Sequence, residues 1–172
     1  MRISILIILI AFMNSCNKEN YTTEKKKGNT LQKIMYEHGK ITNSKTYKSG
    51  ILNAEFIYDN SGVIIKMYQY YSNGKIQSYS YLIKKPNHYV TKIYHKNKQI
   101  ASEGEGDYFK DKNLYLRRGT WIFYNNTGVP YSIYTFGHDE KNEYIQDEVI
   151  FDTVKNKIIK EARYDPAVLY KK

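Results

Sequence analysis

The chain of 172 residues carries one cysteine, one tryptophan, three prolines and ten glycines. The lone Cys16 excludes an internal disulfide, and with it the small stapled folds that need several. It also leaves no paired cysteine ligands for zinc. The histidines His38, His88, His95 and His138 show no i, i+4 spacing that would set two imidazoles on one helical face. No metal site is expected. Long apolar runs are lacking as well: residues 3–12 fall short of the roughly 20 residues that a membrane-spanning helix needs. Helix signals are scarce. Only Asp165-Pro166-Ala167-Val168-Leu169-Tyr170 offers an N-cap with proline at the first helical position, which predicts one short helix near the C-terminus. Gly104-Glu105-Gly106 lacks the third glycine and the following helix of a dinucleotide loop. No serine sits in a Gly-x-Ser-x-Gly elbow. These patterns assign no cofactor and no catalytic residue.

Acidic residues are outnumbered, 17 against 27 Lys and Arg, for a net charge of +10. A surplus of that size suits nucleic acid, acidic glycans or anionic lipid. The basic residues are spread along the chain, as solvated strand faces would spread them, rather than clustered on one helix. Tyrosine is abundant, with 19 copies beside 6 Phe. Its ring is apolar and its hydroxyl must reach water or a partner. So much amphipathic ring in a highly charged chain predicts shallow, half-exposed sheet rather than a deep globular core.

A repeat runs through the chain from Leu31. Tyr36-Glu37-His38-Gly39-Lys40-Ile41, Tyr47-Lys48-Ser49-Gly50-Ile51-Leu52 and Tyr71-Ser72-Asn73-Gly74-Lys75-Ile76 share Tyr, two polar residues, Gly, one residue, then Ile or Leu. Tyr58-Asp59-Asn60-Ser61-Gly62-Val63-Ile64 is one residue longer, and residues 151–160 echo residues 58–66 with one insertion. Glycine fits the positive φ that hairpin turns demand. Between turns the side chains alternate: Met67, Gln69 and Tyr71 oppose Tyr68 and Tyr70, and Gln77, Tyr79 and Tyr81 oppose Ile76, Ser78 and Ser80. Residues 89–94 form another β-rich run, with 95–99 its polar turn without glycine. Short strands with regular turns predict an all-β antiparallel meander of tandem hairpins, an open single sheet that is either elongated or curled.

The best-formed unit is residues 118–134, two aromatic and β-branched strands around Asn125-Asn126-Thr127-Gly128. Gly119-Thr120-Trp121-Ile122-Phe123-Tyr124 followed by Gly128 resembles the MORN-variant repeat, Gly-x-Trp-x-x-Tyr, a short polar turn and Gly. Gly104-Glu105-Gly106-Asp107-Tyr108-Phe109 resembles half of a neighbouring copy. The resemblance is good over residues 100–137 and extends to residues 31–82 by turn pattern alone. It implies tandem β-hairpins, and some bacterial proteins with such repeats are labelled antitoxins.

The N-terminus reads as a targeting segment. Arg2, the apolar residues 3–12 and Ser15 directly before Cys16 resemble a bacterial lipoprotein signal. Met13 and Asn14 depart from the commonest lipobox and resemble the relaxed signals of Bacteroidota-type lipoproteins. The alternative is an ordinary secretory signal with an incidental cysteine. The resemblance implies a signal peptide at residues 1–15, lipidation of Cys16, and anchoring in a bacterial membrane, facing the periplasm or the cell surface. Two or more acyl chains anchor stably where one is marginal. Residues 16–30, polar and without apolar periodicity, read as the lipidated cysteine and a flexible tether, leaving 31–172 as the repeat domain.

An exported, lipid-anchored protein meets little nucleic acid, so the partners expected are the membrane itself and an unidentified protein or acidic envelope polymer. Tyr68, Tyr70, Tyr79, Tyr81, Trp121, Phe123 and Tyr131 are the candidate binding surface, since Tyr and Trp are favoured anchors. The same rings would equally serve cross-strand stacking. Glu103, Glu105 and Asp107 share one face if extended and could hold a cation or act as an acid pair; flanked by Gly104 and Gly106, they also fit a flexible turn. Asp139, Glu140 and Glu143 read as loop. The leading expectation is a non-enzymatic binding or scaffold lipoprotein. An immunity or antitoxin-like lipoprotein and a cryptic envelope enzyme are the alternatives.

Overall fold

The computed structural model describes residues 20–170. They form twelve antiparallel strands in one sheet whose spatial order is the chain order. The strands are β1 (Tyr21–Lys27), β2 (Thr30–Glu37), β3 (Lys40–Lys48), β4 (Ile51–Tyr58), β5 (Ile64–Tyr70), β6 (Ile76–Lys84), β7 (His88–Tyr94), β8 (Ile100–Phe109), β9 (Leu114–Tyr124), β10 (Pro130–His138), β11 (Glu143–Asp152) and β12 (Lys157–Leu169). The first and last strands do not pair, so the sheet is an open meander, as the turn repeat predicts.

The repeat is a bulged hairpin. Pairing shifts register beside Tyr36, Tyr47, Tyr58, Tyr70, Tyr94, Tyr124 and Phe151, each the last aromatic before its turn. In each case the strand after the turn carries one extra residue: Thr42, Asn53, Ile65, Gln77, Ala101, Tyr131 and Ile159. This alignment revises one sequence copy, because Tyr70 rather than Tyr71 stands where Tyr58 and Tyr124 do. Tyr71 takes the place of Asp59 and Asn125: its N–H donates to Lys75 O, as Asp59 N–H does to Val63 O and Asn125 N–H to Val129 O. The shorter turns His38-Gly39 and Ser49-Gly50 have positive φ at both central residues, the type I′ geometry that matches strand twist.

Each bulge adds local twist, and their repetition curls the sheet. Phe56 on β4 and Tyr108 on β8 lie with ring centroids 6.1 Å apart. Strands four places apart in a flat sheet are separated by about 19 Å. Inside the curl, Ile64, Met67 and Tyr89 form a buried cluster against Phe56, Tyr58, Leu82, Tyr108 and Tyr115. The concave side thus supplies a core that a flat sheet lacks, and the choice between elongated and curled falls to curled.

Two segments differ from expectation. Residues 21–27, read as tether, form β1: Tyr21 stacks on Tyr36 at 4.6 Å and Glu24 meets Lys33 at 2.7 Å. The Tyr-Thr-Thr start and Gly28 at the turn (φ 58°) are hairpin signals within a polar segment. Residues 165–170 contain no helix; Val168 and Leu169 pair with Ile145 and Tyr144. Pro166 lies in a wide break in register on the edge strand, where its missing N–H costs no ladder bond. The signal peptide and Cys16 lie outside the described residues.

Candidate functional site: the concave groove

The curl encloses a groove of about 560 Å³ on the concave face. Two cross-strand rows build its floor. One runs Gln69, Ser78, Ile93, Ser102 and Phe123 over β5 to β9; the other runs Met67, Ser80, Thr91 and Gly104, with the Trp121 ring over Gly104. Ser78, Ser80, Thr91, Ser102 and Gly104 leave room in the middle of the rows, which Phe123 and Trp121 wall in at the β9 end. Gln77, the extra residue of the β6 bulge, also lines the groove. Ser80 and Thr91 hydroxyls lie 2.7 Å apart, and Thr91 is 2.7 Å from the Tyr115 hydroxyl, so these polar atoms are already satisfied. Burial pushes the Tyr115 phenol well up and takes Tyr89 up to about 12, which keeps both hydroxyls protonated.

The glycines of β8 are platforms rather than turn residues. A Cβ on Gly104 would stand 2.5 Å from the Trp121 indole, and one on Gly106 would stand 2.5 Å from both the Tyr115 ring and Leu116 O. Each ring therefore lies flat on bare backbone, and Trp121 Nε1 donates to Glu105 O at 2.7 Å. Trp121 is 1% exposed.

One end of the groove carries a buried ion pair that sequence reasoning missed. Arg117 Nη2 donates to Glu143 Oε2 at 2.7 Å, and the Arg117 backbone N–H donates to Glu143 Oε1 at 2.7 Å. The guanidinium sits 4.0 Å from the Phe136 ring centroid and 4.3 Å from that of Tyr170. Glu143, expected in a loop, opens β11 and reaches past β10 to β9, a consequence of the curl. No local pattern joins residues 117 and 143; only strand register and curvature do.

The seven aromatic candidates do not form one surface. Tyr68, Tyr70, Tyr79 and Tyr81 make a ladder on the convex side, with Tyr68 and Tyr79 stacked at 4.9 Å. Trp121 and Phe123 face the concave side, Trp121 buried and Phe123 half-buried. Tyr131 is the extra residue of the β10 bulge, exposed, with its ring 6.5 Å from that of Phe123. Strand alternation sets this division, since cross-strand partners share a face. On the convex ladder Glu55 accepts from the Tyr70 hydroxyl at 3.0 Å and from Asn43 at 2.7 Å. Burial, together with the Glu55 charge, pushes the Tyr70 phenol up to about 12.

Glu103, Glu105 and Asp107 do share the convex face, in a strand rather than a turn, and each is tied up. Glu103 accepts from the Tyr124 hydroxyl at 2.8 Å and lies 3.4 Å from Lys92. Asp107 is 2.9 Å from both His88 Nδ1 and His138 Nε2, and Glu105 is 2.9 Å from His88 Nε2. Burial works against the charge of Asp107, but the hydrogen bonds of His88 and His138 and the charge of Arg118 outweigh it and hold the carboxyl below its ordinary range. Two histidines fifty residues apart in sequence meet on one carboxylate. These groups bond to one another instead of facing a shared vacancy, and among the described residues no cluster is arranged to hold a metal ion.

A scan against protein-family models and a search of curated proteins each returned no match. Among solved structures, a mutant of S. aureus TarM in complex with Fondaparinux, alpha-GlcNAc-glycerol and UDP aligns with a TM-score of 0.35 at 6% identity, over 56% of this chain and 16% of that one. The GtfA/B complex bound to UDP and GlcNAc aligns with a TM-score of 0.30 at 7% identity, over 83% and 24%. A protein of unknown function from Bacteroides fragilis aligns with a TM-score of 0.15 at 13% identity, over 85% and 92%. The chain spans less than a quarter of the length of the first two. Likeness at this level carries no functional argument.

Proposed function

We propose that this chain is a lipid-anchored envelope protein that binds a ligand in the concave groove of its curled repeat sheet and performs no chemistry on it. The observation that carries the reading is the groove itself: a walled space of about 560 Å³ lined by amide, hydroxyl and aromatic groups. That size falls within the range of small-molecule sites, roughly 300–1,000 Å³. A binding role fits better than catalysis because the carboxylate in the lining, Glu143, is held by Arg117. Among the described residues, no side-chain hydrogen bond poises a lining serine or threonine on a histidine or carboxylate. The address rests on Arg2, the apolar residues 3–12 and Ser15-Cys16.

The test has two arms. Cys16→Ala should move the protein from the membrane to the soluble fraction; retention on the membrane refutes the anchor. Ser78→Phe, which fills the groove floor, should abolish capture of envelope components by the wild-type chain. If capture is unchanged, the groove is not the binding site.

A further inference from the structure

The groove reading can be taken one step further, to the class of ligand, and this step rests on that reading. Among the described residues, the carboxylate and cationic side chains lining the groove are Arg117 and Glu143, and each neutralises the other through contacts as short as 2.7 Å. The lysines that pair across this region lie on the opposite, convex side: Lys92 with Glu103 and Lys45 with Glu55. The positive charge of the chain is therefore not presented inside the groove. An acidic polymer gains nothing there and would shed hydration without a counter-charge.

What the floor does present is an alternation. Along one row over β5 to β9 come an amide (Gln69), a hydroxyl (Ser78), an aliphatic side chain (Ile93), a hydroxyl (Ser102) and an aromatic ring (Phe123). At one side chain per strand, the row runs about 19 Å along the curve. Ser102 lines the groove at 4% exposure, and among the described residues its hydroxyl has no hydrogen-bond partner, so it is open to a ligand there. Ser78 donates only a long bond, 3.3 Å, to Gln69. Ligands with hydroxyls on their edges and C–H groups on their faces match this lining, and neutral sugars have that form. The edge hydroxyls meet Gln69, Gln77 and Ser102 while a ring face lies on Phe123.

We infer that the concave groove binds a short neutral glycan laid across strands β5 to β9. The full lipidated chain, in a detergent without sugar head groups, would be titrated calorimetrically with neutral oligosaccharides of glucose, mannose and N-acetylglucosamine, and separately with dextran sulfate. At least one neutral oligosaccharide should bind, with affinity insensitive to salt. Gln69→Ala, an exposed position whose thermal midpoint should not move, should weaken binding about tenfold. Ser78→Phe should abolish it. No binding by any neutral oligosaccharide, unchanged affinity in Ser78→Phe, or tighter, salt-dependent binding of dextran sulfate each overturns the inference. Capture of an envelope protein that Ser78→Phe prevents would overturn the glycan while keeping the groove as the binding site. Capture that Ser78→Phe leaves intact would sink both.

Discussion

Lys98 holds a backbone conformation that glycine holds in three equivalent turns. Its φ is 77°, against 80° at Gly62, 77° at Gly74 and 82° at Gly128, and its N–H donates to His95 O just as Gly62 N–H donates to Asp59 O. A side chain at positive φ costs about 1–2 kcal/mol, so Lys98→Gly should raise the thermal midpoint by several degrees, offset in part by the added freedom of the unfolded chain. An unchanged or lowered midpoint would show that the lysine side chain is worth more than the strain. Asp107 supplies a test of sign. Its carboxyl titrates lower folded than unfolded, so it stabilises above the ordinary carboxylate range, and that contribution is lost as pH falls through the folded value. Asp107→Asn should cost about 2 kcal/mol near neutrality and flatten the acid limb of a stability-versus-pH curve. A parallel downward shift at every pH would assign Asp107 a packing role instead.

At the scale of the hairpin, much was legible. Tyr, a polar turn, Gly and an aliphatic residue mark the hairpins, and alternation correctly sets Tyr68 opposite Met67 and Gln69, and Tyr79 and Tyr81 opposite Ser78 and Ser80, while the bulge moves Gln77 from the side of Tyr79 into the groove. The bulges were not legible, because one extra residue leaves no compositional trace; they show only once Ile65 or Gln77 is seen without a cross-strand partner. Polar composition hid β1, whose stability comes from pairing and from Tyr21 on Tyr36 rather than burial. Proline suggested a helix at 165–170, and tertiary pairing with β11 overrode that local preference. Strand β1 is exposed at every position and has one neighbour, whereas β7 to β9 hold Tyr89, Leu116 and Trp121. Amide hydrogen exchange should therefore be fastest in β1 and slowest across β7 to β9; uniform protection along the sheet would contradict this gradient.

The curvature of the whole molecule makes the groove, and it can be measured without a ligand. Phe56 and Tyr108 touch only because the sheet curls. A double-mutant cycle with Phe56→Ala and Tyr108→Ala should return a coupling of about 0.5–1.5 kcal/mol, the worth of an aromatic pair. Coupling near zero would mean that the sheet in solution is flatter and the groove smaller than 560 Å³. Arg117 and Glu143 tie the same curvature at the other end, through a pair whose rupture leaves a charge among the rings of Phe136 and Tyr170.

The amino-acid sequence by itself determined the all-β class, the hairpin units and which neighbours along a strand lie opposite each ladder tyrosine, because turn chemistry and period-two alternation are local properties of the chain. Tertiary structure decided everything that depends on strand register and curvature. It divided the aromatic candidates between two faces, buried Trp121 on Gly104, joined Arg117 to Glu143 past an intervening strand, and brought His88 and His138 onto Asp107. The contacts that reach past a strand, Arg117 to Glu143 and His138 to Asp107, follow from the sum of many small bulges, and the rest from strand register; no single stretch of sequence carries either.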